Sequence, residues 1–204
     1  MRKSEPAVRS PKGLQTRERL LGAAIAEFKR GGLAAADTAA IVSAAGVAHG
    51  TFFFHFPTKE HVLIELETRE QERITAELNR FFRRPHTVRD TLGEVVRLLE
   101  KMERRLGRNL FKDFLALHFS TTRPPSEEWG KYPVIVAVVE EFRRAQERGE
   151  IPADVDVMHN SVSFLVGLYA LLITIPADKV VRSPAVDAYL TTYEYGLRVV
   201  RPTD

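Results

Sequence analysis

The sequence predicts an all-α protein of about nine helices, in which a three-helix domain at the N-terminus precedes a larger helical bundle. Apolar residues recur at spacings of three and four along most of the chain, as they do on one face of a helix. Glycine, proline and capping residues divide this pattern into segments of helical length. No segment shows the alternation of a half-buried strand, so we expect no sheet.

The first part of the chain predicts a tail followed by three helices. Residues 1–13 contain two prolines and a glycine among charges, and we expect a disordered basic tail there. The three-helix domain would occupy residues 14–58 and the bundle residues 59–204. The small domain is predicted to contain three helices. The first, Leu14–Arg30, is ended by Gly31-Gly32. The second, Thr38–Ala44, is capped by Asp37, and the third spans about His49–Phe54.

The bundle is predicted to hold six helices. The first begins after Pro57 and Thr58 and reaches about Phe82. The second is expected at Thr87–Leu106 and begins with a capping box of Thr87 and Asp90. The other four are expected at Asn109–Thr121, at Pro133–Arg148, from Asp154 or Asp156 to about Ile175, and from Ser183-Pro184 onward.

Charge is unevenly distributed along the chain. Residues 1–59 hold nine Lys and Arg against four Asp and Glu, a net of +5, whereas residues 60–204 hold 21 against 23, a net of −2. A basic end on a near-neutral body favours a polyanionic partner for that end, although a basic tail that serves solubility alone would give the same count. The chain has no cysteine, which excludes disulfides and thiolate metal sites.

One long uncharged stretch, residues 157–177, resembles a membrane span in length. Its first part is polar, and its purely apolar centre, Phe164–Ile173, is too short to cross a bilayer. We therefore expect a helix that is buried on all sides in a protein without membrane contact. Residues 1–11 are charged and contain proline rather than an apolar signal segment, which favours a cytoplasmic protein.

Residues 38–54 have the form of a helix-turn-helix. Two short helices flank a tight turn at Ala45-Gly46-Val47, and small residues on both sides allow a close approach. In such a motif the second helix enters the major groove of DNA with its N-terminal residues at the base edges. A plain helical hairpin with a glycine turn has the same spacing, and spacing alone leaves both interpretations open.

The stretch Thr16–Leu66 resembles the N-terminal domain of the TetR family of regulators. The resemblance rests on Thr16-Arg-Glu-Arg-Leu-Leu, Ala24, Phe28, Gly32, Ile41, Ala45-Gly46-Val47, Gly50-Thr51, His55-Phe56 and Lys59-Glu60. It implies a homodimer that binds double-stranded DNA at a palindromic operator and represses transcription. The resemblance further implies that the C-terminal domain forms the dimer and binds a small molecule. Binding of that molecule would cause the protein to release the DNA.

The resemblance also implies which residues meet DNA. They are Thr38, His49, Gly50, Thr51, Phe53, His55 and Lys59. The sequence departs from the family pattern at Ala36, Ala48, His49 and Phe53, and each departure removes a polar contact. We expect basic residues of the N-terminal segment to compensate: Arg2, Lys3, Arg9, Lys12 and Arg17.

Aromatic residues concentrate in the middle of the chain, where a sensor domain needs a cavity for a mainly apolar effector. The candidate ligand-binding residues are Met102, Phe111, Phe114, His118, Trp129, Tyr132 and Phe164. A solid structural core would use the same residues. Breaks at Pro124-Pro125 and Gly130 suggest a looped-out segment that could control entry to the cavity.

A homodimer is expected on the uncharged helix and the last helix, because the apolar residues of the uncharged helix are too many for one buried face. The candidate interface residues are Phe164, Leu165, Leu168, Leu172, Tyr189 and Tyr193.

Other functions have weaker support. His61 and Glu65 are four residues apart but lack a third metal ligand nearby, and neither Glu127-Glu128 nor Glu140-Glu141 forms a convincing acid–base pair. We find no glycine-rich phosphate loop and no nucleophile elbow, so we expect no enzyme, no cofactor and no metal. The alternatives are a non-specific nucleic-acid-binding structural protein and an enzyme with an incidental helix-turn-helix.

Overall fold

The computed structural model describes residues 11–120 and 132–198, apart from the side chain of His118. Within these ranges it contains nine α-helices and no strand, which confirms the all-α prediction. The helices are α1 (Pro11–Ala35), α2 (Thr38–Ala44), α3 (His49–His55), α4 (Lys59–Phe81), α5 (Val88–Leu106), α6 (Arg108–Ala116), α7 (Pro133–Glu147), α8 (Val157–Thr174) and α9 (Lys179–Arg198). A short 3₁₀ turn, Leu117–Phe119, follows α6.

The chain forms two compact units that differ from the predicted domains. The first unit contains the described residues up to Leu66 together with Leu106–Phe114, and the second contains the remainder. The division therefore falls inside α4, eight residues beyond the expected boundary at residue 58, and it brings most of α6 into the first unit. Residues 11–13, which were expected in a disordered tail, form the first turn of α1.

Local capping signals explain several helix starts. The Asp37 side chain accepts the Ala39 N–H at 2.9 Å, and the Asp156 side chain accepts the His159 N–H at 2.9 Å. Thr87 and Asp90 form the expected reciprocal capping box, in which the Asp90 carboxylate accepts the Thr87 N–H at 2.9 Å. These bonds hold the pKa of Asp90 below its ordinary value.

The start of α9 was predicted wrongly. The helix begins at Lys179, four residues before Ser183, and Pro184 lies inside it. Asp178 occupies the capping position instead, since its side chain accepts the Val180 N–H at 2.7 Å. Pro184 is the sixth residue of α9, beyond the four whose N–H groups need no partner in the helix, so its ring leaves one helical hydrogen bond unmade. The choice between neighbouring caps therefore rests on the rest of the fold.

The uncharged helix α8 is a central element of the second unit. By length and composition it could cross a membrane. It packs instead against α7 and α9, and four of its large side chains, Phe164, Leu165, Leu168 and Leu172, are buried within the single chain. A helix that is buried between neighbours needs an apolar composition for the same reason as a membrane span, so composition alone does not separate the two.

Candidate DNA-binding surface and ligand cavity

The turn between α2 and α3 sets the direction of the helix expected to enter DNA. Gly46 has φ 62°, a left-handed conformation that favours glycine, and its N–H donates to Ser43 O at 3.0 Å. The next N–H, of Val47, donates to Val42 O at 3.1 Å and completes the end of α2. Both bonds use carbonyls that the helix end would otherwise leave unpaired, so the turn is fully specified by local sequence.

Helix α3 divides its aromatic residues between the core and the surface. Phe52 and the following Phe56 are fully buried and pack with centroids 5.9 Å apart. On the opposite face, His49, Gly50, Phe53 and Phe54 are exposed, and Thr51 is half-buried. The predicted candidates His49, Gly50, Thr51 and Phe53 therefore lie together at one accessible face of α3.

Phe54 is a surface residue that the sequence analysis did not single out. Its side chain is 84% exposed, more than the 49% of its neighbour Phe53. The signal was available in the run Phe52-Phe53-Phe54, because a helix on the surface of a small domain cannot bury three consecutive side chains. Exposed aromatic rings on such a helix can contact thymine methyl groups in the major groove.

Gly50 has no role in the fold that would require glycine. It lies in the first turn of α3 without a positive φ, and a Cβ built there would meet nothing within 4 Å. Glycine costs a helix interior about 1 kcal/mol relative to alanine, and among the described residues no neighbour of Gly50 requires a missing Cβ. The position is therefore consistent with close approach of an external partner to the backbone.

Two other DNA candidates are less accessible than expected. Thr38 lies at the start of α2 and is half-buried. His55, expected to flank the DNA, is only 8% exposed, and its ring lies against Phe54 with centroids 5.1 Å apart. A DNA contact by the His55 ring would require the ring to leave this buried position, and it stays a prediction.

Lys59, expected to bind a phosphate, has internal partners in the structure. Its ammonium donates to the carbonyl oxygens of Leu33 at 2.8 Å, Ala34 at 3.3 Å and Ala36 at 3.0 Å. An ammonium has three protons, so these three acceptors can use all of them. A phosphate contact by Lys59 requires one of these bonds to open, and it stays a prediction.

The segment that Lys59 holds is also held from α6. The Asp113 carboxylate accepts the Leu33 N–H at 2.6 Å, a charge-assisted bond between residues 80 apart in sequence. Gly32, the residue before, has φ 80°, and a Cβ there would approach the same carboxylate to 3.1 Å. The end of α1 is thus clamped on its N–H side by Asp113 and on its carbonyl side by Lys59.

Arg17 also serves the fold of the first unit and is not placed as the expected phosphate ligand. Its guanidinium donates to His55 O at 2.5 Å and to Glu65 at 2.8 Å, and it lies 4.1 Å from the centre of the Phe56 ring. These contacts tie α1 to the end of α3 and to α4. Among the other expected compensating cations, Lys12 is exposed at the start of α1, and Arg2, Lys3 and Arg9 lie outside the described residues.

The second unit contains a cavity of about 290 Å³. Its described wall is almost wholly apolar. The lining residues are Gln71, Phe119, Tyr132, Ile135, Val162, Leu165, Val166 and Tyr169. The volume is at the lower end of the range for small-molecule sites, and the composition is the one expected for an apolar ligand.

Most of the predicted ligand-binding residues do not line this cavity. Tyr132 does, but Met102 and Phe164 are buried elsewhere in the second unit, and Phe111 and Phe114 belong to the first. The side chain of His118 and the whole of Trp129 lie outside the described residues, as does the segment expected to control entry. Leu165, predicted as an interface residue, lines the cavity instead.

The polar part of the wall is formed by residues of α4 and α8. The Gln71 side-chain oxygen accepts the Val134 N–H at 3.2 Å, which leaves its amide N–H groups for other partners. Burial raises the pKa of Tyr169, the Glu67 carboxylate raises it further, and a hydrogen bond from Gln71 opposes both. Glu67 precedes Gln71 by one helical turn and is itself buried.

The argument for a dimer interface on α8 is wrong in its premise. Phe164, Leu165, Leu168 and Leu172 are buried in a single chain, because α8 lies between α7 and α9. Tyr189 and Tyr193 are used in the same packing: the Tyr189 hydroxyl donates to Phe164 O at 2.7 Å, and both rings lie against Phe164. Gly167 allows this approach, since a Cβ there would meet the Tyr189 oxygen at 2.5 Å.

The remaining clusters have structural partners. His61 bonds to Thr58 and Glu65 to Arg17, and in the described ranges no group of three potential ligands is placed to hold a metal. Glu141 is buried and paired with His86, Arg144 and Arg148, whereas Glu140 pairs with Arg143. Glu127-Glu128 lies outside the described residues.

Comparison with known proteins gives independent information about this arrangement. Residues 20–66 match the family described as "Bacterial regulatory proteins, tetR family". The matched range runs from the middle of α1 through the first two turns of α4. It therefore contains Lys59 and the exposed face of α3.

Full-length relatives extend the match beyond this range. The chain is 27% identical to the HTH-type transcriptional regulator UidR of Escherichia coli K12 over 168 residues, 82% of this chain and 85% of the relative. It is 38% identical to the HTH-type transcriptional repressor KstR of Mycolicibacterium smegmatis over 77 residues, 38% of each chain. The crystal structure of Thermus thermophilus FadR, in complex with lauroyl-CoA, has the same fold, with a TM-score of 0.69, 20% identity and coverage of 92% of this chain and 98% of that chain. Residues 20–66 therefore form a domain of the tetR family of bacterial regulatory proteins, and the chain is similar over most of its length to a helix-turn-helix transcriptional regulator.

Proposed function

We propose that this protein is a ligand-responsive transcriptional repressor of the cytoplasm, which binds a palindromic operator as a homodimer and is released by a small, mainly apolar molecule. The observation that carries the proposal is the exposed face of α3. His49, Gly50, Phe53 and Phe54 are presented to the outside from a helix whose other side is anchored by fully buried Phe52 and Phe56.

The frame around α3 supports its use as a recognition helix. Specificity requires that base-contacting side chains are held in one orientation relative to the phosphates. Arg17 ties α1 to the end of α3, and Lys59 and Asp113 fix the segment that leads into α2. In our proposal, Thr51 and His49 contact base edges, and Lys59 acts by positioning as well as by charge.

The proposed homodimer presents two α3 helices to two half-sites about one turn of DNA apart. Because the large residues of α8 are buried within the chain, the interface would be formed by the outward sides of α8 and α9. Met158 on α8 and Val181 and Tyr195 on α9 are exposed apolar side chains there, and Tyr195 is 69% exposed. Small neighbours on the same helices, such as Ala170 and Ala188, would permit close packing of helix against helix.

Effector release is proposed to work through the helices that the two units share. The chain passes from one unit to the other within α4, after Leu66, at the end of α5, after Arg105, and within α6, after Phe114. Asp113 lies at this point of α6 and bonds to the Leu33 N–H. A ligand that favours one arrangement of these helices would shift the population of DNA-competent dimers, and by linkage operator DNA would weaken ligand binding by the same factor.

The test is selection of duplexes from a random pool, followed by footprinting. The repressor proposal expects a palindromic site that is bound far more tightly than random DNA, with affinity that falls steeply as salt rises. Thr51→Ala should relax the sequence preference, whereas Thr68→Ala, an exposed threonine of α4 in the other unit, should leave it unchanged. Equal binding to selected and random duplexes would favour the alternative, a non-specific structural protein.

The dimer is tested separately by light scattering at micromolar concentration. Tyr195→Arg should give a folded monomer that binds one half-site weakly, because a charge would replace an exposed ring at the proposed interface. Arg198→Ala, a change at an exposed position of the same helix, is the matched control. A wild-type protein that is monomeric under these conditions contradicts the proposal.

A further inference from the structure

The helix-turn-helix lacks the side chains that usually recognise bases by hydrogen bonds. Residues 38–58, which contain α2, the turn and α3, include no Arg, Lys, Asn, Gln, Asp or Glu. In the major groove, Arg and Lys pair with guanine, Asn and Gln with adenine, and Asp and Glu with cytosine. The charged residues that flank this stretch have internal partners, since Asp37 accepts the Ala39 N–H and Lys59 donates to Leu33 O. None of these three kinds of pairing is therefore available from α2 or α3.

The exposed side chains of α3 are mainly aromatic. Phe53 and Phe54 are both exposed, at neighbouring positions that point about 100° apart around the helix. The Phe53 ring makes T-shaped contacts with His49 and Phe52, with centroids 5.8 and 5.4 Å away, so packing fixes its direction. Beside the two rings, the His49 imidazole and the Thr51 hydroxyl can each make single hydrogen bonds. Such a face is suited to contact apolar groups of DNA rather than to form paired hydrogen bonds with a base.

We infer that α3 recognises the C5-methyl groups of pyrimidines in the major groove, through Phe53 and Phe54. These contacts, together with single hydrogen bonds from His49 and Thr51, give the protein its preference for one operator sequence. This inference rests on the proposed function, in which α3 is the recognition helix, and it adds the chemical group that the helix recognises. Thymine carries this methyl in ordinary DNA, and 5-methylcytosine carries it at the same ring position in methylated DNA.

The chemistry of the major groove favours the methyl group as the target of a phenyl ring. Base pairs present donors, acceptors and one apolar group there, the methyl of thymine. A ring that covers this methyl removes apolar surface of both groups from water. A ring that covers the amino group of cytosine or the acceptors of guanine displaces their water and supplies no hydrogen bond in return. The two rings therefore favour thymine and disfavour a G·C pair at the positions that they contact.

The first experiment removes the methyl group from the DNA and leaves the protein unchanged. A duplex that the full-length protein selects from a random pool is synthesised with deoxyuridine in place of thymidine, at one position at a time. Uracil pairs with adenine and keeps every hydrogen-bonding group of thymine, so only the methyl is lost. We expect affinity, measured by fluorescence anisotropy, to fall about fourfold at each contacted position, the effect of burying one methyl group. A change of less than twofold at every position overturns the inference.

Two further substitutions in the same duplex separate the methyl from other groups. 7-Deazaguanine removes the N7 acceptor that Arg or Lys from any part of the chain would use, and we expect affinity to change less than twofold. A contacted T·A pair is also exchanged for C·G, with and without a methyl on C5 of the cytosine. The methylated duplex should bind at least twofold more tightly than the unmethylated one, and its comparison with the thymine duplex shows which base is the preferred source of the methyl. A larger loss with 7-deazaguanine than with deoxyuridine, or no gain from methylation, overturns the inference.

Substitutions in the protein assign the effect to the two rings. Phe53→Ala and Phe54→Ala should each abolish the preference for thymine over uracil at the position that the ring contacts. Both should fold, because the two side chains are exposed, and circular dichroism checks this. Val136→Ala, at an exposed apolar position of α7 in the second unit, is the matched control and should leave the preference unchanged. If both phenylalanine variants keep the full preference, the rings serve another surface, such as a contact with a protein, and the inference is wrong.

Methyl recognition and the proposed function fail in different ways. If selection yields no preferred duplex, the repressor proposal fails before any base is exchanged, and the inference fails with it. If a palindrome is selected but tolerates deoxyuridine at every position, the repressor proposal stands and only the recognition of methyl groups is wrong.

Discussion

In the first unit the candidate binding residues lie on the exposed face of α3, whereas in the second unit they line an internal cavity. The charged residues differ too. In the first unit Arg17, Lys59 and Asp113 hold the frame together, although basic residues were expected to face DNA. In the second unit none of the described residues that line the cavity is charged. The difference shows that a charged residue near a site can serve the geometry of the site without touching the partner.

The largest expected effect concerns α8. Leu168→Ala should lower the free energy of unfolding by about 2–5 kcal/mol, because Leu168 is fully buried and its removal leaves a cavity. Leu171→Ala, three residues later and only half-buried, is the matched control and should cost clearly less. Denaturant titrations measure both. If Leu168→Ala instead dissociates a dimer without loss of monomer stability, the residue faces a second chain and our assignment of α8 to the interior is wrong.

The sequence predicted local features of the fold well because their causes are local. Asp37, Thr87 with Asp90, and Asp156 cap helices through bonds to residues two or three positions away. The positive φ of Gly46 likewise depends on a few neighbours. The start of α9 was missed because Asp178 and Ser183 are both capable caps, and the choice between them depends on tertiary packing.

The site in the first unit was easier to predict than the one in the second. The α3 candidates are adjacent in sequence, so a local motif locates them. The cavity is a space between distant residues such as Gln71, Ile135 and Tyr169, and periodicity cannot reveal which buried residues border a space. Lys59 and Asp113 were missed as a clamp for the same reason, since their common target, Leu33, is 26 and 80 residues away.

The second largest effect is expected at the clamp. Asp113→Ala should lower the stability of the first unit by about 1.5–3 kcal/mol, because it removes a charge-assisted bond and leaves the part-buried Leu33 N–H unpaired. Asp113→Asn keeps an acceptor and should lose less. Thermal unfolding and operator binding are measured on both. Equal losses in the two variants would mean that the carboxylate charge, and not the hydrogen bond, is what the fold requires.

Substitution of Lys59 tests whether this cation positions the end of α1 or binds a phosphate of DNA. Lys59→Met should weaken operator binding, with a stability loss of about 1–2 kcal/mol from its carbonyl bonds. If the lysine acts by position alone, the slope of log affinity against log salt is unchanged. If it binds a phosphate, the slope falls by about one. Lys12→Met, at an exposed site in the first turn of α1, is the control for charge loss without loss of the clamp.

The smallest effect on stability is expected on the outer face of α3. Phe54→Ala should change the free energy of unfolding by less than about 0.5 kcal/mol, because the ring is 84% exposed. Phe52→Ala, two residues earlier and fully buried, should cost about 3–5 kcal/mol. Despite its small effect on folding, Phe54→Ala should reduce the preference for one base pair of the operator by about 1 kcal/mol, the low end of the cost of a mismatch. Selection of sites with the variant would show this as loss of a thymine, since a ring without polar atoms can recognise only its methyl group. If the variant selects the same operator with the same stringency, Phe54 does not face the bases, and the outer face of α3 is narrower than its exposure indicates.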